Sequence, residues 1–441
     1  MNATKQYDRR AVFGWAMYDF ANSAFSALVL TFIFSTYFTK AIAPDEITGT
    51  ALWSRGLTIS GLTVALLSPF LGAVADRGGL KKRFLLLLTG VAVCGTAALY
   101  TAQPGQVFKA LALFVIANMA VEMGMVFYNS FLPDIAPGDR IGRISGYGWS
   151  FGYVGGLLAM SIAMVGLVET DVPWFGLSKV NGENIRATNL LVAAWIACFS
   201  VPLFLWVREK NVRTREGVGA LFLSAANQLK DTFHEIRRYR QIVRLLLARV
   251  FYNDAILTIF SFGGIYAAGT FGFSFTEILI FGIVLNITAG IGAFALGFLD
   301  DVIGGKNTVQ VSNYAFMVAT VIALFAPTKA VFWVAGIIVG IFSGPNQAAS
   351  RSLMGRFVPA DKESEFFGFY AFSGKATAFV GPLILGILTE LFHSQRAGMS
   401  VVLLLFAIGS IILKFVDEEE GKRLSGRDAA IAAGRGQGSA Q

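Results

Sequence analysis

Charged and amide side chains recur at helical spacing inside stretches that are otherwise apolar. Asp19, Asn22, Ser23 and Ser26 follow an i, i+3, i+4, i+7 pattern, and Asn118, Glu122 and Asn129 follow a similar stripe. Arg249 and Asn253 are one turn apart with Asp254 beside them, Asn346, Gln347, Ser350 and Arg351 form another polar face, and Arg55 and Lys375 add two cations. A charge at the centre of a bilayer costs at least ~2.5 kcal/mol on insertion scales, so such residues face a bundle interior or water and mark binding or proton sites. Asp19, Glu122 and Asp254 have the chemistry to hold an ammonium or a proton, and Arg55, Arg249 and Lys375 to hold a carboxylate. Asn22 and Asn253 add hydrogen bonds. Trp15, Tyr18, Phe25, Tyr128, Tyr252 and Tyr370 suit an aromatic cavity wall. The competing reading is structural: a buried acid simply neutralises Arg249, Arg55 or Lys375.

Covalent catalysis has little support. The two histidines, His234 and His393, fall in the central linker and near a rim, and no metal cluster, phosphate-cradling glycine loop or nucleophile beside a base is visible. Cys94 and Cys198 lie inside apolar stretches and suggest neither a disulfide framework nor a metal site. No cofactor or metal is expected, and the chain reads as a non-enzyme.

The elements that position the polar stripes are membrane spans. Hydrophobic residues make up 55% of the 441 and charged residues 15%, and the mean hydropathy of +0.62 is that of a membrane protein. Apolar segments long enough to cross a bilayer fall at 13–39, 51–75, 84–102, 107–131, 147–169 and 188–207, then at 243–269, 276–299, 308–326, 330–354, 366–391 and 398–416. Twelve spans put both termini on one side. Arg77, Lys81, Lys82, Arg83, Arg140, Arg143, Lys306, Arg356 and Lys362 share the short loops of that side, which predicts cytoplasmic termini in the inner (plasma) membrane. This asymmetry and the basic linker explain the net charge of +8, so no nucleic-acid partner is implied. The expected organisation is an N-terminal six-helix bundle, 1–207, and a linker, 208–242, with an amphipathic helix marked by Leu221, Leu229, Phe233 and Ile236. A second six-helix bundle, 243–416, and a disordered tail, 417–441, complete it.

Two internal repeats tie the halves together. Gly72, Asp76, Gly79 and Lys81 return as Gly297, Asp301, Gly304 and Lys306, offset by 225, and Pro137, Asp139 and Gly146 return as Pro359, Asp361 and Gly368, offset by 222. Tyr18-Asp19 aligns with Asn253-Asp254 at an offset of 235. The first loop resembles the signature loop of the major facilitator superfamily, although Leu80 replaces a usual basic residue and Val302 a usual Arg in the second copy. The resemblance implies an all-α membrane fold of 12 transmembrane helices in two pseudo-symmetric halves, with helices one, four, seven and ten lining a substrate path. It further implies that the loop acid, Asp76, lies against the N-terminal end of a helix from the other half and pairs with an Arg. Arg77, Asn129, Asp301 and Arg351 are placed as its gating companions.

Two more segments narrow the resemblance. Trp15-Ala-Met-Tyr18-Asp19-Phe20-Ala-Asn22-Ser23-Ala-Phe25 is similar to the opening motif of the vacuole-effluxer-like family, and Phe127-Tyr128-Asn129-Ser130-Phe131-Leu132-Pro133-Asp134-Ile135 also matches it. What this implies is export of small solutes, amino acids or similar zwitterions foremost; the expected protein is a monomer working by alternating access, with protons as a candidate coupling ion. A drug or organic-cation exporter is the alternative within transport, and a transporter-like sensor or scaffold the alternative of another class.

Overall fold

The computed structural model describes residues 7–209, 217–235 and 237–426. Among them, twelve helices are long and apolar enough to cross a membrane. Spans one to six are Arg9–Ile42, Glu46–Gly78, Lys81–Thr101, Val107–Ile135, Ile141–Val168 and Glu183–Trp206. Spans seven to twelve are Arg240–Phe271, Thr276–Ile303, Gly305–Phe325, Lys329–Phe357, Glu363–Phe392 and Gln395–Lys414. No strand occurs among the described residues. The helices match the expected spans in number and order, and most run several residues past their apolar stretches. Backbone hydrogen bonding continues past the apolar stretches into flanking polar residues, which suit the headgroup zone of a bilayer.

Spans one and eleven are among those that depart from regular α-helix. Span one is α-helical over Arg9–Ala24 and then passes through π-helical Phe25–Phe32, a short α segment Phe34–Tyr37 and π-helical Phe38–Ile42. Span eleven is broken into a first half, Glu363–Lys375, and a second half, Val380–Phe392. Pro382 suits the break: it has no N–H for the carbonyl four residues back, and its ring crowds that carbonyl, so it fits well in the first turn of a new helix.

The described chain forms two compact units. The first holds Met1–Leu67, Leu80–Tyr128 and Gly148–Asn211, and the second holds Ser68–Gly79, Asn129–Tyr147 and Val212–Gln441. Spans two, four and five are therefore cut, their ends at 68–79 and 129–147 belonging with the C-terminal helices. In the first unit Phe25, Leu28, Phe34, Phe38, Trp53 and Phe114 build a hydrophobic core, with Trp53 and Phe114 stacked at 3.8 Å. Glycine allows close backbone approach in both: a Cβ on Gly14 would meet the Pro202 carbonyl, and one on Gly72 the Ser364 carbonyl.

The linker carries the expected helix, at Val218–His234. Its buried face is Leu221, Ala225, Gln228 and Thr232, whereas Phe233 is exposed and packs edge-on against Phe369. Ile236, Lys210, Arg213 and Arg215 lie outside the described residues. The tail differs from the expected disorder at its start. Glu418–Ser425 is helical, with Asp417 accepting from the Glu420 N–H, three acids in the first turn and Lys422 and Arg423 in the last, a distribution that complements the helix dipole. A hydrogen bond from Arg240 holds the Glu420 carboxyl below its usual range and ties this helix to the start of span seven. Residues 427–441 lie outside the described residues.

Candidate functional site

In the first unit, Asp19 and its neighbours form a compact polar knot. The Tyr128 hydroxyl donates to Asp19 Oδ2 at 2.8 Å. Tyr128 is sandwiched by Trp15, ring centroids 4.6 Å apart, and Tyr18, at 5.1 Å, while Trp15 Nε1 donates to the Tyr128 carbonyl at 3.0 Å. The Tyr18 hydroxyl pairs with Thr89 Oγ1 at 2.9 Å, and Asn22 reaches Met125 Sδ at 3.3 Å. Gly152 of span five lies against Asp19 and Ser23, so this polar patch meets bare backbone. Asn118 donates to Ser60 Oγ at 2.7 Å, deeper in span four. Glu122 is half-buried on the same span.

In the second unit, span seven meets the break in span eleven. Arg249 Nη1 donates to the Tyr370 carbonyl at 2.8 Å and to Ser373 Oγ at 3.0 Å, and its guanidinium lies over the Tyr370 ring, 3.7 Å from the centroid. Asn253 Nδ2 approaches the Gly374 carbonyl at 3.4 Å. On the other side of the break, the Gly381 N–H donates to Asp254 Oδ2 at 2.8 Å. The cation therefore sits at the carbonyl end of one half-helix and the anion at the amide end of the next, the placement that both dipoles favour. Five residues separate them, a rise of ~7.5 Å along span seven. Both keep an unused buried polar atom, Arg249 Nε and Asp254 Oδ1. Lys375, half-buried, ends the first half-helix. Tyr252 is wholly buried and bonds Ser350 Oγ at 2.9 Å.

Two sequence expectations change here. Trp15, Phe25, Tyr128 and Tyr252 are fully buried, so they form no open cavity wall. Phe25 belongs to the hydrophobic core, and the Trp15–Tyr128–Tyr18 stack buttresses Asp19; aromatic type alone does not tell which helix face a ring occupies. Arg55 is exposed on span two, and among the described residues no carboxylate pairs with it, because a long side chain near a helix end reaches solvent more cheaply than a buried partner.

The repeated loop acids make equivalent contacts within the second unit. Asp76 accepts the N–H groups of Ser364 at 3.0 Å and Glu365 at 2.8 Å, in the first turn of span eleven. Asp301 accepts those of Gly142 at 2.9 Å and Arg143 at 3.3 Å, in the first turn of span five, and pairs with Arg143 Nε at 2.5 Å. Arg351, buried in span ten, donates to Ser145 Oγ at 2.9 Å, the Ser145 carbonyl at 2.7 Å and Asn129 Oδ1 at 3.3 Å. Arg77 bonds Gln228 of the linker helix, whose amide donates to Glu365 Oε2 at 2.5 Å. Asp300 pairs with Arg356 at 2.5 Å, and Arg356 also faces Asp301 at 3.7 Å and Glu418 at 3.7 Å. Sequence reasoning missed Gln228, Asp300, Glu365 and the helix break. Only the break had a signal, in Gly374 followed by Gly381-Pro382.

Twelve spans, duplicated loops and acids capping helix starts are the arrangement of the major facilitator fold. Solved structures of that fold agree: a fucose:proton symporter in the outward conformation superposes with a TM-score of 0.73 at 14% identity, covering 92% of this chain and 98% of that one. A proton:xylose symporter gives 0.71 at 12%, covering 96% and 98%. The chain belongs to the family described as vacuole effluxer Atg22 like, whose model matches residues 42–426. It is 29% identical over 416 residues to an uncharacterized MFS-type transporter, YxiO, of Bacillus subtilis, covering 93% of this chain and 96% of the relative. It is 23% identical to autophagy-related protein 22 of Kluyveromyces lactis, covering 85% and 80%.

Proposed function

We propose that this protein exports small zwitterions, amino acids foremost, by alternating access, with protons as the candidate coupling ion. The observation that carries the reading is the opposed pair on span seven: Arg249 and Asp254, at the two lips of a helix break, each with an unused buried atom. A ligand carboxylate has a donor in Arg249 Nε, and a ligand ammonium an acceptor in Asp254 Oδ1. Asp19 is the matching acid of the other half. The contacts of Asp76, Asp301 and Arg351 then act as the gate of the face that carries the termini, and substrate or proton binding shifts the balance against them. Arg77 and Asn129 support it through Gln228 and Arg351.

Counterflow in proteoliposomes tests the substrate class. Vesicles preloaded with a mixture of neutral amino acids should accumulate a labelled one, and an excess of a lipophilic cationic dye should leave that signal unchanged. Accumulation of the dye with none of the amino acids would make the protein a cation exporter, for which Arg249 has no use.

Glu122 is the acid placed to carry a coupling proton, half-buried on the span that also supplies Tyr128 to Asp19. Glu122→Gln, close in shape and unable to ionise, should abolish gradient-driven accumulation while substrate exchange survives. Accumulation at the wild-type rate with the wild-type pH dependence would remove Glu122 from the mechanism.

With the termini cytoplasmic, a cysteine replacing Arg238 in the linker should stay unlabelled by an impermeant maleimide in intact cells, and one replacing Lys179, between spans five and six, should react. Both side chains are exposed. The reverse pattern would invert the orientation.

A further inference from the structure

One short helix touches both the paired charges and the closing contacts. Glu363–Lys375, 13 residues and about 20 Å long, starts where Asp76 takes the Ser364 and Glu365 N–H groups. It finishes where Arg249 takes the Tyr370 carbonyl and Ser373 Oγ. Beyond Lys375 the backbone turns through 376–379 before a new helix begins at Val380, and Asp254 holds that second piece. The first half-helix is thus fixed at its two ends by one acid and one cation, and the turn at 376–379 interrupts the helix between it and the rest of its own span. Its side is fitted closely: Gly368 lies against the backbone of Ser68 and Pro69, and Gly72 against the Ser364 carbonyl, so either contact leaves no room for a Cβ. A packed helix fitted this closely shifts as a unit rather than deforming.

We propose that Glu363–Lys375 is a coupling rod that transmits occupancy of the Arg249 site to the Asp76 contact. The inference rests on Arg249 being a ligand group. A carboxylate bound at the unused Nε draws the guanidinium toward itself and away from the Tyr370 carbonyl and Ser373 Oγ, which its Nη1 holds. The carbonyl end of the rod then loses its cation, and the rod moves about 376–379. The amide end, about 20 Å away, moves with it and leaves Asp76. Arg249 is in this respect a positioning residue for the gate, and Ser373 its assistant.

The side chains of Ser130 and Ser364 touch at 3.2 Å beside the Asp76 contact and supply a reporter. In full-length protein with Cys94 and Cys198 replaced by Ser, the Ser130→Cys, Ser364→Cys pair should cross-link readily under copper phenanthroline in proteoliposomes. Adding Arg249→Gln should slow cross-linking by at least ~5-fold, the lower end of usual allosteric coupling, in the same direction as Asp76→Asn. Ser373→Ala, which removes one guanidinium partner and no charge, should slow it measurably and serves if the Arg249 variant fails to fold. Cross-linking that stays at the parent rate in both variants, while Asp76→Asn slows it, overturns the rod. Loss of counterflow in Arg249→Gln alongside that unchanged rate would leave the zwitterion reading standing, so the two failures are distinguishable.

Discussion

Replacing Asp254 with Asn should cut transport by roughly 10- to 150-fold while leaving the protein folded. The proposed site gives the carboxylate two functions that the substitution separates. Its Oδ2 accepts the Gly381 N–H and so caps the second half of span eleven, a task the Asn carbonyl oxygen performs equally well. Its charge, and the unused Oδ1, are what an ammonium needs, and Asn supplies neither. Hydrogen bonds to charged groups contribute about 1.5–3 kcal/mol, and each 1.4 kcal/mol is tenfold, which sets the expected range. Asp254→Ala should lose the same transport and also about 0.5–2 kcal/mol of stability, the usual cost of removing a cap. Thermal unfolding of both variants beside counterflow rates reads the difference. If the Asp254→Asn protein transports at the wild-type rate and only the Ala variant is impaired, Asp254 is a helix cap and nothing more.

The second large effect is expected at Asp76. Its two carboxylate oxygens each take one backbone N–H of span eleven, and an amide offers only one acceptor and no charge for the helix dipole. Asp76→Asn should shift the equilibrium away from the closed face by about 1–3 kcal/mol, roughly 5- to 150-fold in the state ratio. A cysteine replacing Ser364, which is buried, should become reactive to a hydrophilic maleimide added from that face, and transport should slow while ligand binding persists. Unchanged reactivity with intact transport would reduce the Asp76 contact to a tight turn.

Much of this architecture is legible in the residues. Apolar run length gives the twelve spans, and period-3.6 placement puts Asp19 with Asn22, and Arg249 with Asn253, on one face of their helices. The resemblance of the first loop implies a helix-start contact for Asp76 alone; Asp76 and its repeat Asp301 both accept N–H groups at helix starts. The break in span eleven is less visible, because Gly374 and Gly381-Pro382 are tolerated in membrane helices and hydropathy runs through them without a gap. Gln228 carries no charge and gives no signal until its partners, Arg77 and Glu365, are brought to it from opposite ends of the chain. The tail helix is hidden by composition: Asp417 followed by three acids and then Lys422 and Arg423 is a capped helix, set in a segment whose overall polarity suggests disorder. Which aromatic rings pack inward, as Phe25 and Tyr252 do, depends on tertiary neighbours that no spacing rule supplies.

The most direct test of a two-ended site is competition binding with end-blocked ligands. Purified protein should bind a labelled neutral amino acid that is displaced by the unmodified amino acid, and neither its N-acetyl derivative nor its methyl ester should compete at tenfold higher concentration, because each lacks one of the charges that we propose Arg249 and Asp254 hold. Equal competition by either blocked form would mean that only one end is recognised, and would contradict the assignment of this charged pair to a zwitterion.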